Sequence, residues 1–133
     1  MHIQKILHDH DFILTEAAVV EPLRRSGDVN LHPRLENALL IYEESAKIAL
    51  SKLYRGFINV ARMGGVPITI CTPTWRANQE RILTAHITND MNGDAVKYLK
   101  QRPDPEALCL AWLLLIMISY YCKLCFLFDA VYT

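Results

Sequence analysis

A chain of 133 residues has the length of one ordinary domain, and 52% apolar residues are enough to give it a core. Lysine plus arginine balance aspartate plus glutamate at 14 each, so no bulk positive field argues for nucleic acid and no acidic excess argues for disorder. Four cysteines accompany an N-terminus, MHIQKILHDHDF, with His and Asp where a secretory leader carries a long apolar stretch, which points to a reduced, cytoplasmic protein.

Composition divides the chain near residue 102. Residues 1–101 read as a soluble α/β segment. Residues 102–106 form a junction whose RPDP prolines hold the residues before them extended and stop a helix. Residues 107–133 are a hydrophobic tail, expected to be helical.

In chain order, His8 and His10 lie in the lead-in to the first strand and read as surface, since a metal site needs three or four ligands. DFILT (11–15) is a short apolar run, expected as a strand, and Pro22, Gly27 and Asn30 punctuate a turn of helix and a loop behind it. From Pro33, suited to a first helical position, apolar residues recur at Leu35, Leu39, Tyr42, Ala46, Leu50, Leu53, Phe57 and Val60. Steps of three and four predict one long amphipathic helix. Its charged face is solvated, with Glu43 pairing Lys47. Gly64 and Gly65 end it, and VPITICT (66–72) predicts a strand buried on both faces, with Cys71 in the core. TPTWRAN (72–78) is the loop at that strand's end. A short helix follows, then a helix to Lys100 capped by Asn89 or Asp90, with Ala95, Val96 and Leu99 inward.

A β-α-β-α order implies parallel strands with right-handed crossovers, and in such folds ligands sit at the carboxyl ends of the strands. The first strand end offers Glu16, Ala17 and Ala18. The second offers Thr72, Thr74, Trp75, Arg76 and Asn78. If the strands are adjacent, these residues share one rim. Trp75 then either lines a ligand pocket or plugs the sheet's edge, with Arg76 on a nearby carboxylate. The segment holds no nucleophile beside a base, no phosphate-binding glycine loop and no basic-aromatic interleaving for nucleic acid. His32 and His86 are isolated.

FILTEAAVVEPLRR, LENALLIYEESAKIALSKLYRGFINVAR, GVPITICTPTWRAN and MNGDAVKYLK, in this order and spacing, resemble the beginning of the homocysteine S-methyltransferase family, over residues 11 to about 101. The resemblance implies a TIM-type (β/α)8 barrel, of which this chain would supply about two β-α units. It implies methyl transfer from a donor such as S-methylmethionine or betaine to the thiol of homocysteine, giving methionine. Thr72, Thr74, Trp75 and Ala77 match the family's Thr-x-Thr-aromatic-x-Ala loop as they stand. The family's Asp-Gly-Gly appears as Glu16-Ala17-Ala18, whose methyls exclude the positive φ that glycine allows. On this resemblance Glu16 would hold the substrate amine, and Ala17, Thr72, Thr74 and Trp75 would line the pocket.

In the family, zinc held by three cysteines activates the substrate sulfur, two of them in a Gly-Gly-Cys-Cys motif that this sequence lacks. A complete barrel needs about 250 residues. The expectation is therefore a homocysteine-binding segment with no metal ligands or catalytic residue of its own, forming no methionine alone. Cys122-Lys-Leu-Cys125 has the spacing of a metal or redox pair, but without a second pair or a histidine it reads as structural or incidental.

Residues 107–128 nearly reach the roughly 20 apolar residues that span a bilayer. A membrane anchor and non-homologous read-through sequence are the two readings, and the missing strand and turn chemistry favours the second. The alternative function is a non-catalytic, membrane-tethered or partner-binding module.

Overall fold

The computed structural model describes residues 3–101 and 107–109. The RPDP junction, Cys122, Cys125 and most of the hydrophobic tail lie outside the described residues.

VPITICT folds around a three-residue strand. Each of Ile68, Thr69 and Ile70 is buried, as a strand covered on both faces requires. This strand, β2 (Ile68–Ile70), runs parallel to β1 (Leu14–Thr15), with Leu14 opposite Ile68 and Thr15 opposite Thr69. Its other edge pairs in parallel with β3 (Ala107–Cys109), Ile68 facing Ala107 and Ile70 facing Cys109. Sequential neighbours in one parallel sheet, joined through helices, make the described fold a mixed α/β structure.

Two expectations about strands are corrected here. DFILT yields only two strand residues, and Phe12 stands 59% exposed outside the sheet. The tail, read as helical from residue 107, begins instead as β3. A central strand needs partners for the N–H and C=O groups of both its edges, and β3 supplies the second set for β2.

Helix α1 (Ile3–Asp9) precedes β1 and runs through His8, and His8 and His10 are exposed, as expected. Helix α2 (Val20–Ser26) follows β1 and stops at Gly27, whose φ of 70° is the left-handed geometry of a glycine cap.

The single long helix expected from Pro33 is two elements. A 3-10 helix (Asn37–Tyr42) and α3 (Glu44–Gly64) are separated by Glu43 in extended geometry. Upstream, His32 Nδ1 accepts the backbone N–H groups of Arg34 and Leu35 at 3.2 and 3.1 Å, and His32 and Glu36 form a backbone bridge. These local bonds compete with a helical start. Leu35 and Ala38 accordingly pack with Ala77 and Met91 in a separate small cluster.

The buried stripe of α3 is Ala46, Leu50, Tyr54, Ile58 and Ala61. Leu53 and Phe57 flank it, but Val60 is 63% exposed, because the expected phase was carried across the break at Glu43. Outside the helix, Glu43 accepts from Ser45 at 2.6 Å, and Lys47 pairs with Glu44 at 2.5 Å rather than with Glu43.

After β2, α4 (Gln79–Thr84) starts at Asn78, whose side chain accepts the Arg81 N–H at 2.9 Å. Helix α5 (Met91–Lys100) starts at Asp90, which accepts the Gly93 N–H at 3.0 Å, and buries Met91, Ala95 and Leu99 with Val96 half-buried. The main core joins α3, β2 and α5. No helix among the described residues is long and apolar enough to cross a membrane.

Candidate functional site

The ends of β1 and β2 lie side by side because the strands are paired, and the residues just beyond them are held by their own hydrogen bonds. Glu16 N–H donates to Thr69 C=O at 3.1 Å, which continues the ladder past Thr15. The Glu16 side chain then crosses to β2, where Oε2 accepts the Cys71 backbone N–H at 2.9 Å. The Cys71 side chain is a second partner of the same carboxyl. From α3, the fully buried Tyr54 donates its hydroxyl to the Cys71 carbonyl at 3.0 Å.

The TPTWRAN loop turns without glycine because its threonines and backbone close on themselves. Thr74 N–H donates to Thr72 C=O at 2.7 Å, Ala77 N–H to Thr74 C=O at 2.9 Å, and the two threonine hydroxyls lie 2.8 Å apart. Pro73 is packed inside. Trp75 is 46% exposed, and the Arg76 guanidinium stands 4.7 Å from its ring centroid, a cation–π stack. Arg76 also reaches Glu36 at 3.5 Å, while Arg24 of α2 binds the other oxygen of Glu36 at 3.0 Å and Glu21 at 2.7 Å.

Between these groups lies a cavity of about 430 Å³. Glu16, Ala17 and Ala18 line it from β1, Cys71, Thr72, Trp75 and Arg76 from β2, and Arg24, Glu36, Asn37 and Tyr54 from the helical side. The rim expected from the sequence thus forms around Glu16, Ala17, Thr72, Trp75 and Arg76. Thr74 and Asn78 stand outside the lining: the Thr74 hydroxyl is engaged with Thr72, and Asn78 caps α4. Ala17 and Ala18 take ordinary φ, for Glu36 and His86 are the only non-glycine residues at positive φ among the described residues.

Sequence reading missed Cys71, expected in the core but half-buried on the cavity wall, and also Tyr54, Asn37, Arg24 and Glu36. For Cys71 the signal was its place one step beyond the strand. For Asn37 it was an amide inside the apolar stretch LENALLIY.

Burial pushes the Glu16 carboxyl up from its ordinary 4.5 to about 7, against the lowering effect of the Cys71 hydrogen bonds. Near neutrality this group therefore exists both as a carboxylate that can hold a cation and as an acid that can donate a proton. On the rim, the hydrogen bonds from Arg24 and Arg25 hold Glu21 below the usual carboxylate range.

Among the described residues no group of three His, Cys, Asp or Glu side chains is placed to hold a metal ion. Glu16 and Cys71 make two donors, short of the three or four that zinc takes. A wider open groove of about 720 Å³ lies along the 3-10 helix, α3 and α5. Several of its polar groups are engaged with one another: Tyr42 donates to Asp94 at 3.0 Å, Lys97 pairs with Asp94 at 3.1 Å, and the Ser51 and Tyr98 hydroxyls meet at 2.9 Å. The strand-end cavity is the better candidate on chemistry, because it alone of the two holds a half-buried carboxyl with a raised pKa.

No family model, no curated protein and no solved structure matches the chain.

Proposed function

We propose that the strand-end cavity binds homocysteine, and that the described elements are the first β-α units of a TIM-type barrel of the homocysteine S-methyltransferase kind. The order β1, β2, β3 in one parallel sheet is what consecutive barrel strands give, and the cavity lies at the carboxyl ends where such folds hold ligands. The observation that carries the reading is Glu16 bridging from β1 to Cys71 N–H inside that cavity.

In this reading ionised Glu16 pairs with the substrate ammonium. Ala17 and Thr72 form the floor, Thr74 holds Thr72 in place, and the Trp75 indole covers the aliphatic chain of the substrate. In that family zinc would supply the chemistry, by favouring the ionised form of the substrate thiol. The described residues do not fit it, so the activity proposed for them is binding and orientation. A cytoplasmic setting, with no nucleic-acid partner, accompanies this reading.

The test is calorimetric titration of the protein with L-homocysteine at pH 8, beside Glu16→Gln. The wild type should bind, and the variant should bind at least about tenfold more weakly, the usual worth of a charge-assisted contact. Absence of binding, or equal affinity in the two proteins, overturns the proposal.

A further inference from the structure

Asn37 is 2% exposed, and its Oδ1 is buried with no hydrogen-bond partner among the described residues. It opens the 3-10 helix and forms part of the same cavity wall as Glu16 and Tyr54. A buried acceptor without a donor bears its full desolvation penalty, and folded proteins keep few of them. Leu35, Ala38, Leu40 and Ile41 around it in sequence are apolar and buried, and leucine would fill a similar volume. The χ2 torsion of asparagine is soft, so a modest turn presents Oδ1 to a group seated in the cavity.

Oδ1 is closed off as the side chain stands; once the amide turns, the cavity offers two acceptors, the Asn37 carbonyl oxygen and the Glu16 carboxylate. Its cations stand together, Arg24 and Arg76 both held on Glu36. Two acceptors within one cavity suit a group with several N–H donors and no lone pair. A primary ammonium is that group, with three donors and no acceptor, whereas a carboxylate would meet the Glu16 carboxylate as a second anion, with only the Asn37 NH2 to donate to it.

We propose that Asn37 determines specificity in this pocket, its Oδ1 accepting one N–H of a ligand's primary ammonium while Glu16 takes another. The ligand enters ammonium first and leaves any carboxylate near Arg24 and Arg76. Taking homocysteine as the carrier of that ammonium rests on the function proposed above.

The experiment compares L-homocysteine with 4-sulfanylbutanoate, the same chain without its amine, by calorimetry at pH 8. The proteins are the wild type, Asn37→Leu and Asn37→Asp, and the melting temperature of each free protein is also recorded. Wild type should favour homocysteine. Asn37→Leu should lose at least about tenfold of that preference with little change toward 4-sulfanylbutanoate, since a site built around a hydrogen bond discriminates through it. Asn37→Asp, which keeps the acceptor, should retain the preference. Free Asn37→Leu should melt no lower than wild type, because it removes an unpaired buried group.

A wild type that favours homocysteine by a margin Asn37→Leu leaves unchanged overturns the role of Asn37 and leaves the homocysteine reading standing. So does a clear fall in the melting temperature of free Asn37→Leu, which would make the amide structural. A wild type that binds neither compound overturns both.

Discussion

The Glu16 carboxylate accepts the Cys71 backbone N–H at 2.9 Å, so a side chain ties the ends of β1 and β2 just past the last ladder pair, Thr15 and Thr69. Burial holds this carboxyl at about 7 against an ordinary 4.5, so between those values the folded chain binds more protons than the unfolded one. Stability from this group therefore falls as pH rises through that window and is level outside it. Glu16→Gln keeps an acceptor for Cys71 and removes the ionisation. Relative to wild type, the variant should gain on the order of 1 to 2 kcal/mol between pH 4 and pH 8. Denaturant melts at the two pH values measure it, and a pH-independent difference would place the carboxyl in water.

The same group sets the pH dependence of binding. A ligand ammonium needs Glu16 ionised, so affinity should rise with pH toward about 7, with up to one proton released per ligand bound, and level off above. Calorimetry in buffers of different ionisation enthalpy reads the released proton directly. Affinity flat from pH 5 to pH 8 would remove Glu16 from the binding step.

Tyr54 is fully buried in α3 and its hydroxyl fixes the Cys71 carbonyl at 3.0 Å. Tyr54→Phe leaves that carbonyl without this donor and should cost about 1 kcal/mol of stability. Because Cys71 also donates to Glu16, the substitution should weaken ligand binding by a few fold. An unchanged denaturant midpoint would show that the hydroxyl does not hold the end of β2.

His86 sits at φ 55° immediately after α4, where Ile87 N–H returns to Ile82 C=O at 3.2 Å. This is the position where helices favour glycine, and a side chain there costs about 1 kcal/mol. His86→Gly should raise stability by about that amount. Binding should not change, since the residue is exposed and away from the cavity. Thermal melts decide the first point, and a lower melting temperature would contradict it.

What the sequence revealed of the site was what strand ends dictate locally. Glu16 follows an apolar run, TPTWRAN follows another, and pairing the two runs brings their ends together. Asn37, Tyr54 and Cys71 escaped notice because their roles depend on contacts across the fold. Tyr54 lies 17 positions before the carbonyl it binds, and the carboxyl that Cys71 N–H meets comes from 55 positions away.

The helix break at Glu43 was hidden for a similar reason. Apolar spacing runs unbroken from Leu35 to Val60, but periodicity counts residues and cannot register that the His32 ring bonds the backbone of Arg34 and Leu35, or that Leu35 packs with Met91. Strand β3 carries no alternation to announce it, because its pairing is set by the open edge of β2.

The most direct measurement is a titration of ¹⁵N-labelled protein with L-homocysteine at pH 8, followed by the backbone amide resonances. The binding account expects saturable shifts centred on Cys71, Thr72 and Ala17, with Ser51 and Lys97 in the groove along α3 and α5 unmoved. No shift at Cys71, or the largest shifts in that groove, would contradict it.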